Sequence, residues 1–214
     1  MQSIALIDYG SGNLRSAEKA LLKASGGLDG ARDIVVTADP DIIAKADAIV
    51  LPGVGAFAAC MGLVEARAGL IEALEAAVRA RGAPFLGICV GMQLLATRGL
   101  EFGETRGLGW IAGDVKRIEP DGRDFKVPHM GWNGLEDMAD HALFEGLPAQ
   151  VPVYFTHSFA FYPNGNDNVM ARVDHGGLFP AAVARDNIAG VQFHPEKSQA
   201  AGLRLLANFL EWRP

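Results

Sequence analysis

Short apolar runs alternate with amphipathic stretches in the first half of the chain. Three runs are typical of buried strands, Ile4–Ile7, Ala48–Leu51 and Pro84–Ile88, and Ile34–Val36 is a weaker fourth. Each run is followed by a turn and by a segment with helical spacing of its apolar residues. Such alternation predicts parallel strands joined by right-handed crossovers, with helices covering both faces of the sheet.

The first helix that this spacing predicts is preceded by short polar residues. Asn13 and Ser11 are candidate N-caps of the first one, because short polar side chains can accept a hydrogen bond from the first turn. The predicted helices are Leu14–Ala24, Asp41–Ala46, Gly69–Arg81, Val90–Thr97 and Gln199–Glu211.

The second half of the chain has strand candidates with almost no helix between them. Turn residues such as Pro163-Asn164-Gly165 separate these runs, which is typical of antiparallel hairpins. The fold class predicted is therefore α/β, with a mixed, mostly parallel central sheet flanked by helices and an antiparallel C-terminal extension. Without a repeat or a linker-like stretch, we expect one domain over residues 1–214. The strand candidates are Val115–Ile118, Val151–Phe155, Val169–Val173, Ala181–Ala184 and Ile188–Gln192.

Composition narrows the class of protein. The chain has 214 residues, of which 50% are hydrophobic and 21% charged, and this excludes intrinsic disorder. The net charge is −6 and neither half is basic, so we expect no nucleic-acid partner. The longest uncharged run, Ala48–Val64, contains Pro52 and three glycines, so we expect no membrane span. Two cysteines without a CxxC pair indicate a reducing, cytoplasmic setting.

The most informative segment is an apolar strand that runs into Gly87-Ile88-Cys89-Val90-Gly91. This is the thiol form of the nucleophile elbow, in which the nucleophile lies on a strained turn between a strand and a helix. Small residues two positions away on each side let the chain turn so sharply. The Val90 N–H is then placed to bind a developing oxyanion. The alternative is a buried structural cysteine, which is how we interpret Cys60 in its apolar helical stretch.

A cysteine nucleophile needs a base and a group that orients the base. Among the five histidines, His194 follows a short apolar strand, and Glu196 lies two residues further on, close enough to reach its Nδ1–H. The sequence therefore predicts a Cys89–His194–Glu196 triad. His157, in an aromatic and hydroxyl-rich stretch, is the competing base. No second His or Cys lies at ligand spacing from His194, so we expect no metal.

A glycine loop follows the third predicted strand, at Pro52-Gly53-Val54-Gly55. Glycines at the carboxyl end of a parallel strand allow close approach of the backbone to a ligand. Next to the elbow, this loop could supply a second oxyanion donor. The first loop, Asp8–Asn13, has no phosphate-binding pattern, so we expect no nucleotide and no cofactor.

Taken together, these motifs resemble the class I, triad-type glutamine amidotransferases. Within that family the chain is most similar to the glutaminase subunits that serve a cyclase of histidine biosynthesis. The likeness covers nearly the whole chain, and the elbow and His-Pro-Glu identify only the superfamily. The segments that carry it are Asp8–Leu14, Pro52–Gly55, Gly87–Gln93, Gly107–Trp110, Pro128–Asn133, Tyr154–Ser158 and His194–Lys197.

The resemblance implies a flavodoxin-like fold and a reaction. Cys89 attacks the side-chain amide of L-glutamine, a glutamyl thioester forms, and ammonia passes to a (β/α)₈-barrel cyclase subunit in a 1:1 heterodimer. It also implies roles for further residues. They are Gly53, Val54 and Val90 in the oxyanion hole, with a peptide flip at Val54; Gly55, Gln93, Thr156, His157 and Ser158 at the glutamine; and Asn13, Arg15, His129, Trp132 and Lys197 at the partner.

Three alternatives stay open at this point. The chain could be an amidotransferase subunit of another pathway, such as pyridoxal phosphate synthesis, although the Pro-Gly-Val-Gly loop and Lys197 argue against this. It could be a catalytically silent domain that regulates a partner, which an intact triad disfavours. It could also be a thiol hydrolase that acts alone.

Overall fold

The computed structural model describes residues 1–122 and 124–214. Its strands are β1 (Gln2–Ile7), β2 (Arg32–Thr37), β3 (Ala48–Gly53), β4 (Phe85–Cys89), β5 (Arg98–Gly99), β6 (Thr105–Arg106), β7 (Gly113–Arg117), β8 (His129–Gly134), β9 (Pro152–His157), β10 (Phe159–Pro163), β11 (Val169–Asp174), β12 (Leu178–Arg185) and β13 (Ile188–Val191). Its helices are α1 (Leu14–Ser25), α2 (Pro40–Lys45), α3 (Phe57–Glu65), α4 (Leu70–Leu74), α5 (Val90–Gln93) and α6 (Gln199–Glu211).

The central sheet has the strand order β11-β12-β13-β4-β3-β1-β2. Strands β13, β4, β3, β1 and β2 are parallel, while β11 and β12 pair antiparallel with each other and β12 with β13. The predicted fold class, a mostly parallel sheet with an antiparallel extension, is confirmed. Every residue of β3 and β4 is buried, which explains why both strands are continuous apolar runs in the sequence.

Two smaller sheets accompany the central sheet. One has the order β10-β7-β5-β6, and the other is the antiparallel pair β8–β9. The sequence pattern missed β8 and β10. In β8 the glycines at 131 and 134 dilute the alternation, although Met130 and Trp132 face out while His129 is buried.

Three local predictions were wrong in detail. The helix after the elbow ends at Gln93 and is followed by turns, instead of continuing to Thr97. The predicted helix Gly69–Arg81 is α-helical only over Leu70–Leu74 and continues as a π-helix over Glu75–Ala80. Asn13 does stand at the N-cap of α1, but neither its side chain nor that of Ser11 caps the helix. The Asn13 backbone carbonyl accepts the first helical hydrogen bonds.

Within the described ranges, we find no helix with the length and the apolar composition that a membrane crossing requires.

Candidate active site

Cys89 ends β4 on a strained turn. Its φ is +56° and its ψ is −112°, a conformation that costs energy for any residue other than glycine. A β-carbon at Gly91 would overlap the Leu51 carbonyl oxygen, and one at Gly87 would crowd the backbone of Gly91. Both flanking positions therefore require glycine. The strain and the crowding together hold the Cys89 side chain at the carboxyl edge of the sheet, where nucleophile elbows place it.

His194 lies on a turn that is tied to the rest of the site. Its backbone N–H donates to the Tyr154 carbonyl at 2.9 Å, and its carbonyl accepts from the Ser198 hydroxyl at 2.7 Å. A β-carbon at Gly202 of α6 would overlap the Pro195 carbonyl, so α6 packs directly against this turn. Strand β9 and helix α6 therefore fix the position of the imidazole from two sides.

The His194 imidazole and the Glu196 carboxylate form a buried pair. His194 Nδ1–H donates to Glu196 Oε1 at 2.8 Å, and their side chains are only 2% and 4% exposed. Burial by itself lowers the pKa of His194, but the neighbouring Cys89 and Glu196, which both favour the protonated ring, raise it to about 9. Among the described residues, no group forms a hydrogen bond with His194 Nε2. That nitrogen is free to exchange a proton with the sulfur and with a leaving group.

The glycine loop after β3 lies beside the elbow. Gly53 is the register partner of Cys89 across the parallel β3–β4 pair, and a β-carbon at Gly53 would lie 3.0 Å from the Val90 side chain. Both backbone polar groups of Val54 are held elsewhere, however. The Ser11 hydroxyl donates to the Val54 carbonyl at 2.8 Å and accepts from its N–H at 3.3 Å. In this structure the Val54 N–H therefore points to Ser11.

Cys60 has a second contact besides core packing. It is 1% exposed, and its thiol donates to the Val54 carbonyl at 3.3 Å. The Val54 carbonyl is thus held by two side-chain donors, Ser11 and Cys60.

A cavity of about 250 Å³ opens next to the elbow. This volume is slightly below the roughly 300–1,000 Å³ of typical small-molecule sites, which suits a ligand of amino-acid size. Its lining contains every residue that the resemblance assigned to glutamine, together with Val90, Phe159 and two residues to which sequence reasoning assigned no role at the ligand, Glu101 and Pro128. The lining residues are Gly55, Val90, Gln93, Glu101, Pro128, Thr156, His157, Ser158 and Phe159.

The competing base, His157, has no free nitrogen. Its Nδ1–H donates to the Phe159 carbonyl at 2.9 Å, and its Nε2 lies 3.1 Å from His129 Nδ1. Burial and the nearby histidines His175 and His194 lower its pKa to about 4, although the Phe159 carbonyl opposes the shift. A neutral imidazole with both nitrogens occupied cannot take a proton from Cys89.

Four of the five residues expected at a partner are at the surface. Asn13, Arg15 and Lys197 are exposed, and Trp132 is 48% exposed. Trp132 and Lys197 both contact the Tyr154 ring, at centroid distances of 6.0 Å and 5.6 Å. The expectation that His129 contacts the partner is not met, because His129 is only 3% exposed. The pleat of β8 turns His129 inward while its neighbours face out.

Sequence reasoning also missed Gln192. It is fully buried and its Nε2 lies 3.7 Å from Cys89 Sγ. Glu101 likewise had no motif to mark it, although it is the only carboxylate that lines the cavity in the described part of the chain. A glutamine inside the apolar run Ile188–Phe193 was the available signal, because a buried amide needs partners.

A parallel sheet, a cysteine elbow and a buried His–Glu pair define a class of triad enzymes. The family model described as glutamine amidotransferase class-I matches residues 5–212. This chain belongs to the class-I glutamine amidotransferases, and the predicted class is confirmed.

Two similar proteins from other bacteria share one name. A protein of Caulobacter vibrioides, named imidazole glycerol phosphate synthase subunit HisH, is 61% identical over 214 residues and covers 100% of both chains. The protein of that name from Ruegeria pomeroyi is 53% identical over 210 residues, 98% of this chain and 99% of that one.

Solved structures share the fold. A glutamine amidotransferase structure superposes with a TM-score of 0.69 at 22% identity, covering 97% of both chains. A glutamine amidotransferase of Thermotoga maritima gives a TM-score of 0.60 at 17% identity, over 91% of this chain and 76% of that chain.

Proposed function

We propose that this chain is the glutaminase subunit of an imidazole glycerol phosphate synthase. It hydrolyses L-glutamine and passes ammonia to a (β/α)₈-barrel cyclase in a 1:1 heterodimer, which makes imidazole glycerol phosphate and aminoimidazole carboxamide ribotide for histidine biosynthesis. The observation that carries the catalytic part is the buried His194–Glu196 pair, whose Nε2 is left free next to the elbow cysteine. The relatives' name supports the choice of pathway.

The reaction has two acyl-transfer steps. Cys89 Sγ gives its proton to His194 Nε2 and forms a bond with the side-chain carbonyl carbon of glutamine. The carbon–nitrogen bond breaks as His194 returns that proton to the leaving ammonia, which leaves a glutamyl thioester. Water, deprotonated by His194, then displaces the sulfur and releases glutamate. The pKa of His194 near 9 suits the proton-carrying state that ammonia needs as it leaves.

The oxyanion hole that we propose has two donors, and they come from the elbow and from the glycine loop. The Val90 N–H, next after the nucleophile, is one donor, and the loop Gly53–Val54 is the source of the second. Because the Val54 N–H is bonded to Ser11, the Val54 peptide must turn before it can serve. We assign this turn to the loaded complex. An idle subunit then wastes little glutamine, because each oxyanion donor is worth about 2.7–4 kcal/mol of barrier.

Charge complementarity orients glutamine in the cavity. Its α-ammonium pairs with the Glu101 carboxylate, which also accepts the Phe57 backbone N–H at 2.8 Å. Its α-carboxylate faces the hydroxyls and backbone of Thr156 and Ser158. The Gln93 amide nitrogen donates to the Phe159 carbonyl and to Gln192 Oε1, so only Gln93 Oε1 is available to the ligand.

The partner binds over the exposed residues at the mouth of the site. Trp132 supplies a large apolar surface, and Lys197 pairs with an acidic residue of the cyclase, with Asn13 and Arg15 at the margin.

Both cysteines are free thiols. We assign the reaction to the cytoplasm, where thiols stay reduced.

The test is glutamate release from L-glutamine in three mixtures. They are the chain alone, the chain with the cyclase, and the pair with the cyclase's ribonucleotide substrate. We expect low release alone and a strong rise in the third mixture, with none when Cys89→Ala replaces the wild type. High release alone, unchanged by the cyclase, would refute the synthase assignment and leave a free-standing glutaminase.

A further inference from the structure

A line of polar side chains begins at the half-buried Asn133 on β8, away from the triad. Asn133 Nδ2 donates to the Asp174 carbonyl at 2.7 Å and lies 3.3 Å from His129 Nε2. His129 Nδ1 lies 3.1 Å from His157 Nε2, its register partner on β9. His157 Nδ1 then lies 2.9 Å from the Phe159 carbonyl. The line thus crosses the β8–β9 pair and reaches the cavity wall.

The same carbonyl connects this line to the elbow. The Phe159 oxygen also accepts from Gln93 Nε2 at 2.9 Å. Gln93 Nε2 donates again, to Gln192 Oε1 at 2.9 Å, and Gln192 Nε2 lies 3.7 Å from Cys89 Sγ. Gln93 and Gln192 are 4% and 0% exposed, so water does not compete for these bonds. The hydrogen bonds therefore form one unbroken line from β8 to the sulfur.

The direction of every bond follows from backbone carbonyls, which only accept. The Phe159 carbonyl requires N–H at His157 Nδ1, so a neutral His157 accepts at Nε2 and His129 donates from Nδ1. His129 Nε2 is then an acceptor for Asn133. Burial, with the neighbouring histidines, lowers the pKa of His129 to about 3 and that of His157 to about 4, so both rings are neutral near pH 7. Likewise Gln93 must present nitrogen to Phe159, which leaves Gln192 with its N–H toward the sulfur.

We propose that Asn133, His129, His157, Gln93 and Gln192 form a hydrogen-bond chain that holds the Gln192 amide against Cys89 Sγ. Gln192 contacts the reacting sulfur, and the other four are positioning residues. An N–H directed at the sulfur orients it and stabilises the negative charge that the sulfur carries as it attacks or leaves. The proposal rests on the proposed function, because it assumes that Cys89 is the nucleophile.

The test uses two variants of nearly equal size in the middle of the chain, His129→Leu and His129→Asn. Both remove the ring that stacks on Phe155, but the asparagine amide keeps a donor where Nδ1 stood. The readouts are the rate at which iodoacetamide alkylates Cys89, separated from Cys60 by peptide mapping, and kcat and KM for glutamate release in the complex. We expect His129→Leu to slow alkylation and kcat about tenfold, with a smaller change in KM, because His157 loses its donor. We expect His129→Asn to stay within about threefold of the wild type.

Two further variants keep the result decisive. His175→Leu is the matched control. The His175 ring stacks on the His129 ring with 4.1 Å between centroids, but His175 is not a member of the proposed hydrogen-bond chain. We expect it to alkylate at the wild-type rate within about twofold. Gln192→Met, which removes the last donor, tests the chain even if His129→Leu fails to fold, and we expect a loss larger than about tenfold.

The outcomes separate the two proposals. Equal alkylation rates for His129→Leu and His129→Asn, or a wild-type rate for Gln192→Met, would overturn the hydrogen-bond chain. If Cys89→Ala abolishes glutamate release at the same time, the proposed function stands without it. If the wild type releases no glutamate in any mixture but the alkylation rates still differ as expected, the proposed function is wrong. The proposed hydrogen-bond chain is then still supported.

Discussion

Two buried pairs at this site contain histidine, His194–Glu196 and His129–His157, and the pKa values of their histidines shift in opposite directions. His194 lies beside Cys89 and bonds to the Glu196 carboxylate, and these two neighbours raise its pKa to about 9. His157 bonds to another imidazole, His129, and burial lowers their pKa values to about 4 and 3. Desolvation disfavours the charged ring in both places, so the chemistry of the neighbour decides the outcome.

This difference in pKa and in free nitrogens also gives His194 and His157 different roles. His194 keeps Nε2 free, and its ring can carry a proton at neutral pH. His157 has both nitrogens engaged and stays neutral, so it can only donate and accept fixed hydrogen bonds. In this site, the histidine that can act as a base is the one with a carboxylate partner and an open nitrogen.

The strongest way to break this comparison is to make the same substitution at both sites. We expect His194→Asn to lower kcat for glutamate release about a thousandfold or more, because the proton carrier is lost. His157→Asn keeps a donor in the place of Nδ1, and we expect a loss of about tenfold. Steady-state kinetics of the complex measure both. Equal losses would show that the two rings do not differ in role.

Removing the carboxylate charge sharpens the comparison. Glu196→Gln keeps an acceptor for His194 Nδ1 but removes the negative charge, so the pKa of His194 should fall from about 9. We expect kcat to fall about ten- to a hundredfold, less than for loss of the base. The basic limb of the pH profile of kcat/KM should move to lower pH. An unmoved limb would mean that Glu196 does not set the titration of His194.

The two pairs should also affect stability at opposite ends of the pH scale. The folded pKa of His194 is above the unfolded 6.5, so its contribution is complete below pH 6.5 and is lost as pH rises toward 9. His157 has a folded pKa of about 4, so it destabilises the fold as pH drops below 6.5, by about 2 kcal/mol at pH 5. Urea unfolding at pH 7 and pH 5 measures this. His157→Gln should lose less stability between these values than the wild type, and an identical loss would contradict the assignment.

The smallest effects concern the exposed residues beside each pair. Trp132 lies on the strand of His129, and Lys197 follows Glu196. We expect Trp132→Ala to weaken binding of the cyclase about tenfold or more, because large aromatic anchors dominate interfaces. Lys197→Ala should weaken it only a few-fold, since exposed ion pairs contribute about 0–1 kcal/mol. Calorimetric titration compares the affinities of the two variants for the cyclase. Unchanged affinity for both would show that the interface does not include Trp132 and Lys197.

Local patterns located the elbow, the parallel strands and the His-Pro-Glu turn, because each depends on residues close together in the chain. The buried run of β4 and the glycines around Cys89 specify a sharp turn wherever they occur. Strand β8 escaped notice because its glycines hide the alternation. The early end of α5 escaped as well, since the Leu94 and Ala96 carbonyls accept hydrogen bonds from the backbone of Leu108 and Gly109 instead of continuing the helix.

What the sequence determined by itself is the set of reactive groups and the local turns that hold them, since elbow strain and apolar periodicity act over a few residues. Only the tertiary structure decided which histidine is open and which is engaged. It also revealed that Ser11 holds the Val54 peptide and that Gln192 reaches the sulfur. These two contacts join residues 43 and 103 positions apart. Their distances depend on how the sheet stacks the loops, and a hydrogen bond has no signature in the spacing of either residue.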